Sequence, residues 1–149
     1  MLGLNLSKLI EKHCDELSDG LVERLYRSER TKAFRTIPRG ELRSYTHNLF
    51  SNLTEWLVNK SEEEISADFI SAGGRRHEQG VPMSELTWAL LLSKDHLWRF
   101  LQSEHVVDGA LQLFGTLEFL RQLDFFFERA IYYASIGHEQ VTRAASNAA

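Results

Sequence analysis

From Asp108 to His138 the chain runs without a proline, and apolar side chains fall on every side of the helix this stretch must form. Leu113, Phe114, Leu117, Phe119, Leu123, Phe125, Phe126, Phe127, Ile131, Tyr132 and Tyr133 cannot all face one neighbour. A helix that is apolar all round has to be covered all round. In a chain of 149 residues one helix has few partners for its whole circumference. The surplus face predicts a homodimer, with Phe119, Phe126, Phe127 and Tyr133 as candidate interface residues. The competing arrangement is a central helix wrapped by the others. Asp108 is the expected N-cap, and Asp124 and Glu128, near Arg121 and Arg129, read as polar register or rim groups.

The rest of the chain reads as four more helices. Leu6, Leu9, Ile10, Leu17, Leu21 and Leu25 recur at the helical period, which predicts a first helix over 5–28 with a bend or close crossing at Gly20. Pro38 and Gly40 forbid a continuous helix through 29–40, and Phe34 and Ile37 tuck that connection onto the core. Residues 23–43 carry seven basic and three acidic side chains, a local +4 that reads as a solvated segment or as a site for an anion or an acidic partner. A second helix covers 41–59, with Leu42, Tyr45, Leu49, Leu53 and Trp56 on one face. Ser61 followed by Glu64 forms a capping box that starts a third helix near 62. A fourth, over 82–102, opens at Pro82. The fold class is therefore all-α, five or six helices in a bundle with a long apolar C-terminal helix. Residues 1–140 form the domain, and the small polar end 141–149 is a linker or frayed tail.

The corner between the third and fourth helices is dense in chemistry. Gly80 suits a left-handed cap, Val81 before Pro82 is pushed out of helical geometry, and Gly73 and Gly74 let another backbone approach closely. Arg75 and Arg76 are adjacent, so at most one points inward, where it can clamp Glu78, another helix or a ligand carboxylate. No catalytic constellation is present. There is no Gly-x-Ser-x-Gly, no phosphate-binding loop, and Cys14 on an amphipathic helix reads as an inert small hydrophobe. The six histidines, His13, His47, His77, His96, His105 and His138, show no metal-binding spacing, so no metal site is expected. Haem needs only one axial histidine, and His96, between Leu92 and Phe100, is the candidate for it. A phosphoacceptor role for His47 or His77 is a third, weaker reading. The expected protein is not an enzyme.

Composition bounds the setting. A net charge of −4 argues against bulk affinity for nucleic acid. No run of 18 apolar residues exists to span a membrane. The N-terminus lacks the features of a signal peptide, and the single Cys14 forms no internal disulfide, which together predict a cytoplasmic protein.

Gly74-Arg75-Arg76, then Glu78-Gln79-Gly80-Val81-Pro82, then Glu85-Leu86 opening an apolar helix resembles the N-terminal sensory domain of RsbR-type stressosome co-antagonists, the RsbRD N-terminal type. Similar helical modules precede some histidine kinases and PucR/CdaR-like regulators. The resemblance runs from about Leu9 to about Gln140, with His77 where a small residue is expected. It implies an all-α, globin-like sensory domain without catalytic residues that dimerises and passes a signal through its C-terminal helix to a downstream signalling domain or protein. It leaves open whether haem or a small ligand binds.

Overall fold

The computed structural model describes residues 2–104 and 109–148, with side chains from residue 6 onward except those of 110 and 111. Among the described residues the chain is helical, with no strand. Six α-helices are interleaved with two tighter or wider pieces: α1 (Leu2–Lys12), α2 (Cys14–Arg27), a 3-10 segment (Glu29–Thr36), α3 (Arg39–Ser51), a π turn (Glu55–Asn59), α4 (Glu62–Glu78), α5 (Met83–Glu104) and α6 (Ala110–Ala148).

These eight segments exceed the five or six expected because two predicted helices are interrupted and the connection Glu29–Thr36 is itself a 3-10 segment. The stretch 5–28 breaks at His13, which steps out of helical geometry at φ −105°, ψ 21°. Gly20 lies unbent inside α2. It gives room to His96, whose Cε1 would sit 3.0 Å from a Cβ there. The stretch 41–59 stops as an α-helix at Ser51 and resumes as a single π turn, a common form of local helix widening. That turn carries Trp56 onto Phe69 and Phe126, with ring centroids 5.4 and 5.8 Å away. In the connection at 29–40 Phe34 and Ile37 are buried as expected, but it coils as a 3-10 segment and α3 starts at Arg39, two residues before the expected 41. Five of the seven cations of 23–43 are paired with carboxylates, and Arg30 instead lies over the Trp88 ring. Arg24 meets Asp95, Arg39 and Arg27 meet Glu23, Arg35 meets Glu29, and Arg43 meets Asp15 and Asp19.

The capping box at Ser61 is present in both directions, and α4 begins where it predicts. Although only a short turn joins α4 to α5, α4 packs chiefly along α6, not along α5 as their adjacency in sequence suggests. Helix α6 also meets α1 and α5. Its inner face supplies Phe119, Leu123, Phe126, Phe127, Ala130 and Ala134 to the core. Three of the four side chains expected at a dimer interface lie in the core. Phe119, Phe126 and Phe127 are buried inside their own chain, and Tyr133 is spent on Glu62 through its hydroxyl at 2.6 Å. The apolar residues left outside on α6 are Leu113, Phe114, Leu117, Phe125 and Tyr132. The helix is amphipathic, not apolar all round, and no helix among the described residues is long and apolar enough to cross a membrane. It also continues past His138 to Ala148, so the small polar end is helical. The expected N-cap Asp108 and His105 lie outside the described residues.

Candidate functional site

The Gly73–Pro82 corner is built by backbone geometry first. Gly80 takes φ +82°, the left-handed conformation that favours glycine. The Gly80 N–H donates to the His77 carbonyl and the Val81 N–H to that of Arg76, both at 2.9 Å. This is the Schellman pattern, and its hydrophobic member Val81 is buried. The Pro82 carbonyl then accepts from Glu85 and Leu86 at 3.1 and 3.0 Å, so Pro82 caps α5 and Met83 is its first residue, one position later than expected.

The arginine pair divides as the helical geometry requires. Arg76 is buried and Arg75 is exposed. The carboxylate they share is Glu41 on α3, so of the three partners expected, Glu78, another helix or a ligand carboxylate, it is another helix that is clamped, and Glu78 is exposed. Arg75 Nε donates to Glu41 at 2.9 Å. Arg76 NH1 donates to Gln79 Oε1 at 2.7 Å, and Gln79 Nε2 donates to Glu41 Oε1 at 2.9 Å. The Arg76 guanidinium lies 5.2 Å from the Tyr45 ring centroid and 3.8 Å from Glu41. Hydrogen bonds from Arg75 and Gln79 hold the Glu41 carboxyl below its usual range. Desolvation lowers the Arg76 guanidinium, which still stays charged at neutral pH. The result is a clamp between the C-terminus of α4 and the N-terminal part of α3. Arg76 also lines a 50 Å³ cavity with Leu42, Phe69, Gly73 and Ala134.

Behind the clamp, α4 and α6 touch backbone to backbone. A Cβ at Gly73 would lie 2.0 Å from the Ala134 carbonyl oxygen, and one at Gly137 would lie 1.9 Å from that of Ile70. The two glycines thus accept each other's helix reciprocally. Gly74 adds a looser contact, 3.1 Å to Val141 Cγ2. Close approach was expected of Gly73 and Gly74; their counterpart Gly137 was missed, since one glycine in a long apolar helix carries no local signal. One turn further along, His77 and His138 meet edge to face, Nδ1 to Nε2 at 3.3 Å, and His138 Nε2 lies 2.8 Å from the Val81 carbonyl. The corner is therefore pinned to α6 as well as to α3.

Two other groups were singled out or overlooked by sequence. His96 sits between α5 and α2 with both ring nitrogens engaged: Nε2 is 2.9 Å from the Leu17 carbonyl and Nδ1 is 3.3 Å from Arg24. Burial lowers its pKa, so it stays neutral at pH 7. The groove over it is open and mixed in character, lined by Glu16, Arg24, Arg99 and Glu104 together with Leu17 and Phe100. Cys14, read as inert, lies beside His47, and burial raises its thiol above the ordinary value, which does not suit a nucleophile.

A family model for the RsbT co-antagonist protein rsbRD N-terminal domain matches residues 15–148. No curated protein and no solved structure matches the chain. The match covers nearly all of the sequence and contains the whole clamp, the glycine crossing and α6, so the chain belongs to the RsbT co-antagonist rsbRD N-terminal domain family.

Proposed function

We propose that this chain is a non-catalytic regulatory domain of cytoplasmic stressosome-type signalling that homodimerises along the outer face of α6 and relays a signal through that helix to a downstream signalling partner. The observation that carries the reading is the division of α6 into two faces. The inner face is locked to α4 by the Gly73–Ala134 and Gly137–Ile70 contacts. The outer face leaves Phe114, Phe125 and Tyr132 exposed at 71%, 52% and 61%. These three are eleven and seven residues apart, close to whole turns, so they share one stripe. Aromatic side chains aligned on one exposed helix face mark a site for another protein surface.

A locked inner face and an open outer face make α6 a rigid lever. A ligand or partner that favours one α4–α6 packing over another moves its far end, because packed interfaces switch between discrete arrangements. Light scattering after size exclusion tests the dimer. At tens of micromolar the wild type should run as a dimer and Phe125→Glu as a folded monomer. A monomeric wild type would sink the proposal.

The alternative is a haem or small-ligand sensor of globin-like shape. It is disfavoured by His96, which would have to give up its bond to Leu17 or to Arg24 to ligate iron. Haem titration of the wild type and His96→Ala separates the readings: a Soret band that depends on His96 favours the sensor.

A further inference from the structure

We propose that Cys14, Asp15 and His47 form a binding site for a zinc-type divalent cation that ties α2 to α3. Cys14 Sγ lies 3.4 Å from His47 Nε2, and Asp15 Oδ1 lies 3.0 Å from the same nitrogen. The three atoms fall within 4.8 Å of one another.

The convergence on a single nitrogen is what decides the chemistry. A Cys–His–Asp proton relay needs the thiol on one ring nitrogen and the carboxylate on the other. Here sulfur and oxygen both approach Nε2, so no relay can run through the ring. One Nε2 hydrogen cannot serve both, and with the proton on Nδ1 a lone pair faces the carboxylate. A cation between the three atoms resolves that arrangement. Tetrahedral zinc has Zn–S of about 2.3 Å, Zn–N of about 2.0–2.1 Å and Zn–O of about 2.0–2.2 Å, which put sulfur about 3.6 Å and oxygen about 3.4 Å from nitrogen. The observed separations are within a few tenths of an ångström of those.

The ligand set is also the right kind. Thiolate, imidazole and carboxylate together suit a borderline-soft divalent ion, and three protein ligands leave one position for water. On binding, the thiol loses its proton to solvent and the sulfur becomes the ligand. Thiolate and carboxylate then balance the two positive charges. The local fold explains how the residues meet. The break at His13 makes Cys14 the first residue of α2, so Cys14 and Asp15 reach α3 from its opening turn. Arg43, one turn before His47, bonds Asp15 Oδ1 at 3.2 Å and Asp19 at 2.7 Å, which holds the carboxylate at the α2–α3 contact.

Cobalt(II) reports on this site directly, because a thiolate-to-cobalt charge-transfer band requires the sulfur. Titration of the wild-type protein with cobalt(II) should give that band at one equivalent, and zinc(II) should abolish it. Cys14→Ser should remove the band. His47→Gln and Asp15→Asn should each weaken binding by about 10-fold or more, whereas His77→Gln should leave it unchanged. A measurement on the unaltered protein backs the variants: zinc should slow alkylation of Cys14, the chain's one cysteine. Absence of the band together with unaltered alkylation overturns the site. So does binding that Cys14→Ser and His47→Gln, both folded by circular dichroism, leave intact.

Discussion

Replacing Gly137 with alanine should destabilise this protein, although alanine is the better helix former. In an open helix interior the exchange gains about 1 kcal/mol. Here the new Cβ would lie 1.9 Å from the Ile70 carbonyl oxygen, whereas real Cβ contacts are essentially never found below 3.0 Å. Restoring that limit needs a separation of α4 and α6 by about 1.1 Å, and a gap of that order forfeits a quarter to a half of each dispersion contact across the crossing. The obstacle is backbone, not a side chain that can swing away. Overpacking of this kind costs typically 1–3 kcal/mol and occasionally more, and the upper end applies to a rigid neighbour. The net loss is then about 2 kcal/mol after the propensity gain, or a fall in Tm of about 4–8 °C at this chain length. Thermal unfolding followed by circular dichroism measures it. Gly40→Ala is the internal control, since nothing lies within 4 Å of a Cβ there, and it should raise stability by up to about 1 kcal/mol. Gly73→Ala should behave like Gly137→Ala. The double variant should cost less than the sum, because the first substitution already opens the gap the second needs. A rise in Tm for Gly137→Ala, or strict additivity, would refute the close crossing.

Arg76→Ala should cost on the order of 2 kcal/mol by denaturant unfolding, because it empties a buried position and strips Gln79 of a donor. Arg75→Ala, whose side chain is 63% exposed, should cost under about 1 kcal/mol. Glu41 has a folded pKa below its unfolded value, so its contribution is complete above the ordinary carboxylate range and is lost as pH falls. Stability-against-pH curves should therefore show a shallower acid limb for Glu41→Gln than for the wild type, and identical limbs would contradict the clamp. The Ser18 hydroxyl is buried without a hydrogen-bond partner, so Ser18→Ala should be neutral or stabilising by up to about 1 kcal/mol in the same unfolding assay.

Local signals were the legible ones. The Ser61–Glu64 capping box, the left-handed Gly80 and the single inward arginine follow from rules that act within one or two turns, and each stands where those rules put it. What spacing does not encode is which helix lies across from which. Arg75 and Arg76 reach Glu41, thirty-four residues away for Arg75, and not the nearby Glu78. Gly73 is explained only by the Ala134 backbone on α6, Gly137 only by that of Ile70 on α4, and Cys14 only by His47 on α3. The same blindness misassigned the aromatic residues of α6. Phe126 and Phe125 are neighbours in sequence and alike in chemistry, yet one is fully buried and the other about half exposed, because adjacent helical positions point about 100° apart. The phase of the buried stripe is set by where α4 approaches, and the glycines that fix that approach lie on two separate helices.

The proposed dimer sets the Phe125–Tyr132 face of α6 against a second copy. In a Cys14→Ser background, Phe125→Cys, Tyr132→Cys and, as a control at an exposed position of α4, Glu63→Cys can each be oxidised at tens of micromolar and resolved by size. A disulfide-linked dimer from Phe125→Cys or Tyr132→Cys, with none from Glu63→Cys, is the predicted result. Cross-linking no greater at the α6 positions than at the control would contradict it.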